Sequence, residues 1–251
     1  MKLGVFTDPH YALADRVTGT RRPRLSMSKL REALDAFRAA EVDAILCLGD
    51  WINLWGSHEE MEVRLREFAG ELRQTGLPVY TCMGNHDREV FSREEFEAMT
   101  GAVIAPCTLE DEACRVILLD ANFLRDGSPW PPHCSDWTQT ALPEGELHWL
   151  AEQLNCGKTC LVALHQNLDP GISDPHRLEN DVRVREVIRL AGNAPLVLQG
   201  HYHFGSDRML DGIRYLTLPA MCEEEENSWL ICTLSKEGAH CLCHRQPMAG
   251  K

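Results

Sequence analysis

The sequence predicts a fold of the α/β class, and three observations support this prediction. Short apolar, β-prone runs recur along the chain, and segments with helical spacing of apolar residues separate many of them. Of the 251 residues, 44% are hydrophobic and 25% are charged, as is typical of a globular protein with a sizeable core. No linker, repeat or low-complexity tract divides the chain, so we expect a single domain over residues 1–251.

The strands are predicted where apolar, β-prone residues are followed by residues that favour turns. In chain order they cover residues 3–7, 44–48, 79–83, 115–119, 159–164, 195–199, 213–218, 228–234 and 239–244. In an open α/β sheet, side chains at the carboxyl ends of the strands face a crevice that the sheet holds rigid. The residues just after each strand are therefore the first candidates for a functional site.

Five helices are predicted between the strands from apolar spacing and capping signals. They begin at Ser26 or Ser28, at Ser57, at Ser92, at residue 144 and at Asn180. Ser57 and Glu60 have the spacing of a capping box, and Gly192 is placed to end the last helix. Their apolar faces are explained by packing on a sheet, without any further function.

The net charge and the number of cysteines indicate which binding partners and which cellular compartment to expect. The chain has 25 Lys and Arg against 38 Asp and Glu, a net charge of −13, which disfavours binding to duplex nucleic acid or an anionic membrane. No secretory signal or run of about 18 apolar residues is visible, so we expect a cytoplasmic protein without membrane contact. The odd number of cysteines, 11, favours reduced, buried thiols, among them Cys47, Cys82, Cys160 and Cys232.

Polar residues with metal-binding or proton-transfer chemistry follow five of the predicted strands. They are Asp8 and His10, Asp50, the run Asn85, His86 and Asp87, then His165, and finally His201 and His203. Each motif alone has a plain structural explanation, such as a turn or a hydrogen-bonded histidine. Their regular position after strands favours one shared site. Mixed oxygen and nitrogen donors suit manganese, iron, zinc or nickel.

Four other features leave alternatives open. The arginines at 21, 22 and 24 contact a phosphate or are simply solvated, with solvation favoured. The loop at 120–143, which contains Pro132 and Trp137, either walls the substrate side of the crevice or is a structural cover. The run Glu223–Glu226 is a solvated turn or has a functional role. A zinc site at Cys241, Cys243 and His244 is a weaker hypothesis, because no second ligand pair follows.

The ordered pattern of strand-end motifs, from residue 8 to residue 203, resembles the calcineurin-like metallophosphoesterases. The resemblance implies two mixed β-sheets packed face to face and flanked by helices, a four-layer α/β/β/α sandwich. It also implies two divalent transition-metal ions, with manganese favoured. The implied ligands are Asp8, His10, Asp50 and His203 for the first ion, and Asp50, Asn85, His165 and His201 for the second.

The same resemblance implies hydrolysis of a small phosphorylated substrate, such as a nucleotide, by a hydroxide that bridges the two metals. His86 is not required as a ligand, so it is free to protonate the leaving oxygen or stabilise the transition state, oriented by Asp87 or a main-chain carbonyl. Asn53 occupies the position of the iron-binding tyrosine of purple acid phosphatases, and the segment lacks the Asp-Arg of protein phosphatases. The small phosphodiesterase and nucleoside-diphosphate hydrolase branch is therefore favoured. A phosphomonoesterase of broad specificity and a non-catalytic interaction scaffold remain alternatives.

Overall fold

Two six-stranded sheets form the framework in the computed structural model, which describes residues 1–15, 17–131 and 134–245. In spatial order, the first sheet contains β12 (Gly238–Cys243), β11 (Leu230–Ser235), β1 (Lys2–Phe6), β2 (Ala44–Cys47), β3 (Val79–Thr81) and β4 (Val103–Ile104). The second contains β5 (Cys107–Glu110), β6 (Cys114–Leu118), β7 (Thr159–Leu164), β8 (Leu196–Gln199), β10 (Ile213–Thr217) and β9 (Ser206–Leu210). The helices are α1 (Ser26–Ala39), α2 (His58–Arg73), α3 (Asn85–Val90), α4 (Arg93–Thr100), α5 (Glu144–Leu154) and α6 (Asp181–Ala191).

Apolar side chains divide among three cores that separate four layers in the described part of the chain. One core joins the first sheet to its helices and includes Phe6, Phe37 and Phe68. A second lies between the sheets, where Leu3 and Val5 meet residues of the second sheet. The third packs that sheet against α5 and α6. Alternate residues of β1 therefore face opposite layers, as the period of a strand requires. The α/β/β/α sandwich is confirmed.

The central strands of each sheet run parallel. In the first sheet β1, β2, β3 and β4 pair in parallel, and in the second β6, β7, β8 and β10 do so. Antiparallel strands, including β11 and β9, occur next to these central groups. Because the carboxyl ends of parallel strands meet at one edge of a sheet, the polar residues that follow β1, β2, β3, β7 and β8 can converge.

Several predicted boundaries are wrong in detail. Asn85 does not lie in a loop but begins α3, whose start is stabilised because Asp87 Oδ2 accepts the Gly84 N–H at 3.0 Å. Neither Ser26 nor Ser28 caps α1, which continues from a 3₁₀ turn at Pro23–Leu25. The Ser26 hydroxyl instead donates to the Pro9 carbonyl. The short strands β4, β5 and β9 were not predicted, because none of them contains the continuous run of apolar, β-prone residues on which the strand predictions rest.

Other local predictions are confirmed. Capping boxes start α2 at Ser57 and α4 at Ser92, and Gly192 ends α6 with a left-handed backbone. The four cysteines expected inside strands are buried free thiols. Among the described residues, the groups arranged to hold a metal do not include Cys241, Cys243 or His244, so the zinc hypothesis gains no support. No helix in the described ranges is both long and apolar enough to cross a bilayer.

Candidate dinuclear metal site

The backbone is left-handed at four of the predicted ligands. The φ angles are 50° at Asp8, 43° at His10, 55° at Asp50 and 65° at His201. A residue with a Cβ pays a steric cost for this conformation, and such strain concentrates at functional sites. Each of these residues lies just after a strand, where the chain must turn sharply to aim the side chain at the edge of the sheet. Four of the seven non-glycine residues with positive φ in the described ranges are thus predicted ligands.

Two glycines next to ligands allow the strand ends to pack this closely. A Cβ on Gly84 would collide with the Asp50 carboxylate, and a Cβ on Gly200 would collide with Thr7 and Asp8. In both cases the neighbouring ligand belongs to a different strand end. Glycine is therefore required at these positions because any side chain would separate the groups that meet there.

The first ligand set is a compact cage of four donor atoms. His10 Nε2 lies 3.1 Å from His203 Nε2, 3.3 Å from Asp50 Oδ2 and 3.7 Å from Asp8 Oδ1. His203 Nε2 is 3.6 Å from Asp8 Oδ1. Ligands held about 2.1 Å from a tetrahedral ion lie roughly 3.4 Å apart, so these spacings fit a transition-metal ion. In the described structure Asp8 Oδ1 is buried and has no hydrogen-bond partner, which a cation would supply.

The second ligand set shares Asp50 with the first. His165 Nε2 lies 3.2 Å from Asn85 Oδ1 and 3.6 Å from Asp50 Oδ2. His201 completes the group, since donor atoms of Asp50, His165 and His201 all lie within 4.8 Å of one another. Its Nε2 is another buried atom that lacks a hydrogen-bond partner among the described residues. Amide oxygen, carboxylate and imidazoles form a donor set suited to a divalent transition metal.

Asp50 lies between the two sets, and its carboxylate is repelled by that of Asp8. Its Oδ2 faces both His10 and His165, and its Oδ1 accepts the His86 N–H at 2.8 Å. Burial and the negative charge of Asp8 raise the pKa of Asp50 well above its usual value. Two buried carboxylates that repel each other need nearby positive charge if both are to be ionised. Bound cations would provide it.

Comparison with known proteins identifies the family of this chain. The family described as calcineurin-like phosphoesterase matches residues 1–205. The chain belongs to that family. It is accordingly a metal-dependent phosphoesterase, and its family uses divalent ions in a dinuclear site. No curated protein matches the sequence.

Solved structures similar to this phosphoesterase share its fold. A dimetal phosphatase from Danio rerio superposes with a TM-score of 0.83 at 20% identity, covering 96% of this chain and 98% of that chain. Protein TT1561 of Thermus thermophilus gives 0.61 at 14% identity, with coverage of 97% and 99%. A putative 5'-nucleotidase from Staphylococcus aureus, in complex with alpha-ketoglutarate, gives 0.61 at 10% identity and covers 100% of this chain but 54% of that chain.

The two predicted catalytic residues of the phosphoesterase have different environments. The His86 ring packs edge-on against His10 with centroids 4.5 Å apart, and burial together with the charge of Arg21 lowers the pKa of His86 to about 3. Asp87 accepts the N–H groups of Asp50 at 2.8 Å and Trp51 at 2.9 Å, besides that of Gly84. Among the described hydrogen bonds, none joins Asp87 to the His86 ring. Asp87 is thus positioned to hold the turn that carries Asp50.

A row of partly exposed aromatic rings borders the second ligand set. Trp137 and His176 lie 5.1 Å and 5.3 Å from the His201 ring, centroid to centroid. Tyr202 lies 5.3 Å from His176, and Phe204, which is 54% exposed, lies 5.6 Å from Tyr202. Trp137 belongs to the loop 120–143, which has no helix or regular strand in its described residues, and Pro132 lies outside them. The loop therefore reaches the site through Trp137.

Sequence reasoning left the functional contribution of Glu223 undecided, and the structure places this residue beside a ligand. Glu223 Oε1 lies 2.6 Å from His203 Nδ1, and the residue is only 8% exposed. Although burial alone would raise the pKa of Glu223, hydrogen bonds from His203 and Thr20 lower it. Of the three arginines, Arg22 donates to backbone carbonyls and Arg24 pairs with Asp15, whereas Arg21 lies 3.9 Å from Glu223. No periodicity distinguishes Glu223 from the three exposed glutamates that follow it.

Proposed function

We propose that this chain hydrolyses a small phosphodiester or a nucleoside-diphosphate-type substrate at a pair of divalent metal ions. The observation that carries the proposal is the convergence of seven donor residues from five strand ends into two sets that share Asp50. In this proposal Asp8, His10, Asp50 and His203 hold one ion. The other ligands, Asn85, His165 and His201, join Asp50 around the second ion.

The donor set supports binding of manganese, iron, zinc or nickel, and we favour manganese. Two such ions would lower the pKa of a coordinated water and neutralise charge on the phosphoryl oxygens. Around them, the protein fixes the tautomers of two ligands. His165 Nδ1 donates to the Leu48 carbonyl at 2.7 Å, so the neutral ring directs its Nε2 lone pair inward. His203 is held similarly through Glu223.

His86 is proposed to act on the substrate rather than on a metal. Its low pKa, about 3, keeps the ring neutral at pH 7, and a neutral imidazole still carries one N–H. In the described structure His86 Nδ1 is buried without a hydrogen-bond partner. The ring is thus available to donate a hydrogen bond to the leaving oxygen as negative charge develops on it. Asp87 is proposed to support this step indirectly by fixing Asp50 and the start of α3.

The aromatic row supports a substrate with a planar organic group. Trp137 and His176 contact the outer side of His201, so a flat group attached to the phosphate can stack there while the phosphate remains at the donor sets. Nucleobases have this shape, and stacking on an aromatic ring is largely independent of base identity. The net charge of −13 does not oppose this binding, since bound cations reverse the local field.

Two chromogenic substrates test the proposal. With added Mn²⁺, we expect faster hydrolysis of bis-p-nitrophenyl phosphate than of p-nitrophenyl phosphate, measured as kcat/KM for nitrophenolate release. A reversed preference would favour the phosphomonoesterase alternative. Absence of turnover on both substrates, with two ions bound per chain, would favour the interaction scaffold. Elemental analysis of the protein as purified, followed by activity after loading with each candidate metal, would test the preference for manganese.

A further inference from the structure

His165 and His203 are predicted ligands whose Nδ1 atom, on the side of the ring away from the metal, is hydrogen-bonded. The two rings have different hydrogen-bond partners. His165 Nδ1 faces the backbone carbonyl of Leu48, a neutral acceptor, at 2.7 Å. His203 Nδ1 faces Glu223 Oε1, a carboxylate oxygen, at 2.6 Å. In both cases the Nδ1 proton is donated outward and Nε2 is left to bind a metal. The charged acceptor strengthens the imidazole as a base more than the neutral carbonyl does, because its negative charge raises the electron density on the ring.

The Glu223 carboxylate is held in place from several directions. Thr20 Oγ1 donates to its second oxygen, Oε2. The Lys29 ammonium, itself buried, donates to the carbonyls of Met221 at 2.8 Å, of Glu223 at 3.0 Å and of Glu224 at 2.9 Å. Thr20 thus fixes the carboxylate and Lys29 fixes the backbone that carries it, so the side chain loses little freedom when it orients His203.

The turn that carries Glu223 is also tied directly to a first-set ligand. The Cys222 N–H donates to the Asp8 carbonyl at 3.1 Å, and the Met221 N–H donates to the Thr7 carbonyl at 2.9 Å. In the other direction, the Ala220 N–H donates to the His203 carbonyl at 3.0 Å. Residues 220–224 thus connect Asp8 and His203, both of the first set, to one rigid turn. Among the described contacts, no corresponding acidic residue backs a histidine of the second set.

We infer that Glu223 is a positioning residue that makes the cage of Asp8, His10, Asp50 and His203 the tighter of the two metal positions. The inference rests on the proposed function, because it assumes that both donor sets bind ions. Glu223 acts through His203: its charge fixes the ring tautomer and raises the basicity of Nε2. Outer partners of this kind are typically worth 10- to 100-fold in metal affinity. The first position should therefore keep its ion at free-metal concentrations that leave the second position empty.

The substitution Glu223→Gln isolates the contribution of the charge, because glutamine has nearly the same shape and its amide oxygen still accepts a hydrogen bond. Glu225→Gln is the matched control. It makes the same charge change in the same acidic run, but Glu225 is exposed. Isothermal titration of each metal-free protein with Mn²⁺ would give the number of ions bound and their two dissociation constants. Thermal melting of the metal-free proteins would show whether either substitution disturbs the fold.

We expect Glu223→Gln to weaken the tighter Mn²⁺ site by roughly 10- to 100-fold, with the second dissociation constant unchanged. Glu225→Gln should match the parent protein. In an Asn85→Ala background, which removes a ligand of the second position only, the remaining ion should still respond to Glu223→Gln. Equal weakening of both positions, loss confined to the weaker one, or no loss would each overturn the inference. If the parent protein bound no ion, the proposed function itself would fail. That result differs from every outcome that would overturn only the inference about Glu223.

Discussion

The two halves of the candidate metal site differ in the chemistry that surrounds their ligands. The first set is bordered by ionisable groups, with Glu223 behind His203 and Arg21 close by. The second set has the neutral Leu48 carbonyl behind His165 and aromatic rings beyond His201. Under the proposed function the two halves would have different tasks. The polar half, which is the first set with Glu223 and Arg21, would stabilise charge at phosphorus, and the aromatic half, which is the second set with Trp137, would hold the organic part of the substrate.

The largest expected effect comes from the one carboxylate that both halves share. Asp50→Asn removes half of the ligating capacity of the bridging group and its negative charge, so both ions should be lost or bound far more weakly. Activity should fall to background. Elemental analysis after dialysis against Mn²⁺ would measure the effect directly. Retention of two ions per chain would show that Asp50 is not shared, and the comparison between two halves of one site would then be invalid.

His86 tests whether the polar half carries a step that is separate from metal binding. We expect His86→Gln to lower kcat by about 10²- to 10³-fold, because the hydrogen-bond donor to the leaving oxygen is lost or misplaced. The metal content should stay at the parent level. The measurement pairs a kinetic assay with elemental analysis of the same sample.

His58→Gln is a suitable control for that experiment. His58 is an exposed histidine at the start of α2 that pairs with Glu62 and packs against Phe91, and neither of these partners is a predicted ligand. Its replacement should leave both kcat and metal content unchanged. Loss of metal in His86→Gln would mean that His86 is a ligand. A leaving group with a very low pKa needs little assistance, so a substrate with such a group should be less sensitive to His86→Gln.

The strand-end motifs were predictable because local chemistry and local structure coincide there. Asp8, Asp50 and Asn85 each follow an apolar run, and the parallel order of the strands brings them together. Glu223 was not predictable in this way, since its role depends on a contact across 20 residues with His203. Three exposed glutamates follow it, so composition hides the buried one. The helical start at Asn85 was also missed, because Asn, His and Asp are weak helix formers and the N-cap position holds Gly84, which has no side chain that signals a cap.

Trp137 tests the aromatic half, with a smaller expected effect. Stacking of one base on an aromatic side chain is worth about 1–3 kcal/mol, so Trp137→Ala should weaken binding of a nucleotide substrate by roughly tenfold or more. The change should appear in KM, with metal content preserved. Trp137→Phe should recover most of the loss. A phosphodiester without a ring is the internal control, because its KM should not respond. Equal losses for both substrates would assign Trp137 to the structure of the loop instead.

Metal removal tests whether the paired carboxylates need cations for stability. In the metal-free protein, burial and repulsion from Asp50 raise the pKa of Asp87 to about 8, and burial and repulsion from Asp8 raise that of Asp50 well above normal. The folded state therefore keeps protons that the unfolded chain releases above about pH 4. The associated stability is present below that pH and is lost as pH rises toward 8. Chelated protein should accordingly melt at a lower temperature at pH 8 than at pH 7, a window above the pH range in which unfolding would protonate the buried histidines with lowered pKa, such as His86.

Loading with Mn²⁺ should remove most of this pH dependence, because the cations stabilise the ionised carboxylates. A ligand at 100 times its dissociation constant adds about 2.7 kcal/mol to the free energy of unfolding. For a chain of this size, this corresponds to roughly 5–10 °C in Tm at pH 8. Asp50→Asn sharpens the test, since it removes the repelling charge. Its metal-free form should show a flatter dependence of Tm on pH and little response to Mn²⁺. If the Tm of the metal-free parent and the Tm of the metal-free variant declined in parallel between pH 7 and pH 8, the repulsion would have to arise outside the shared carboxylate.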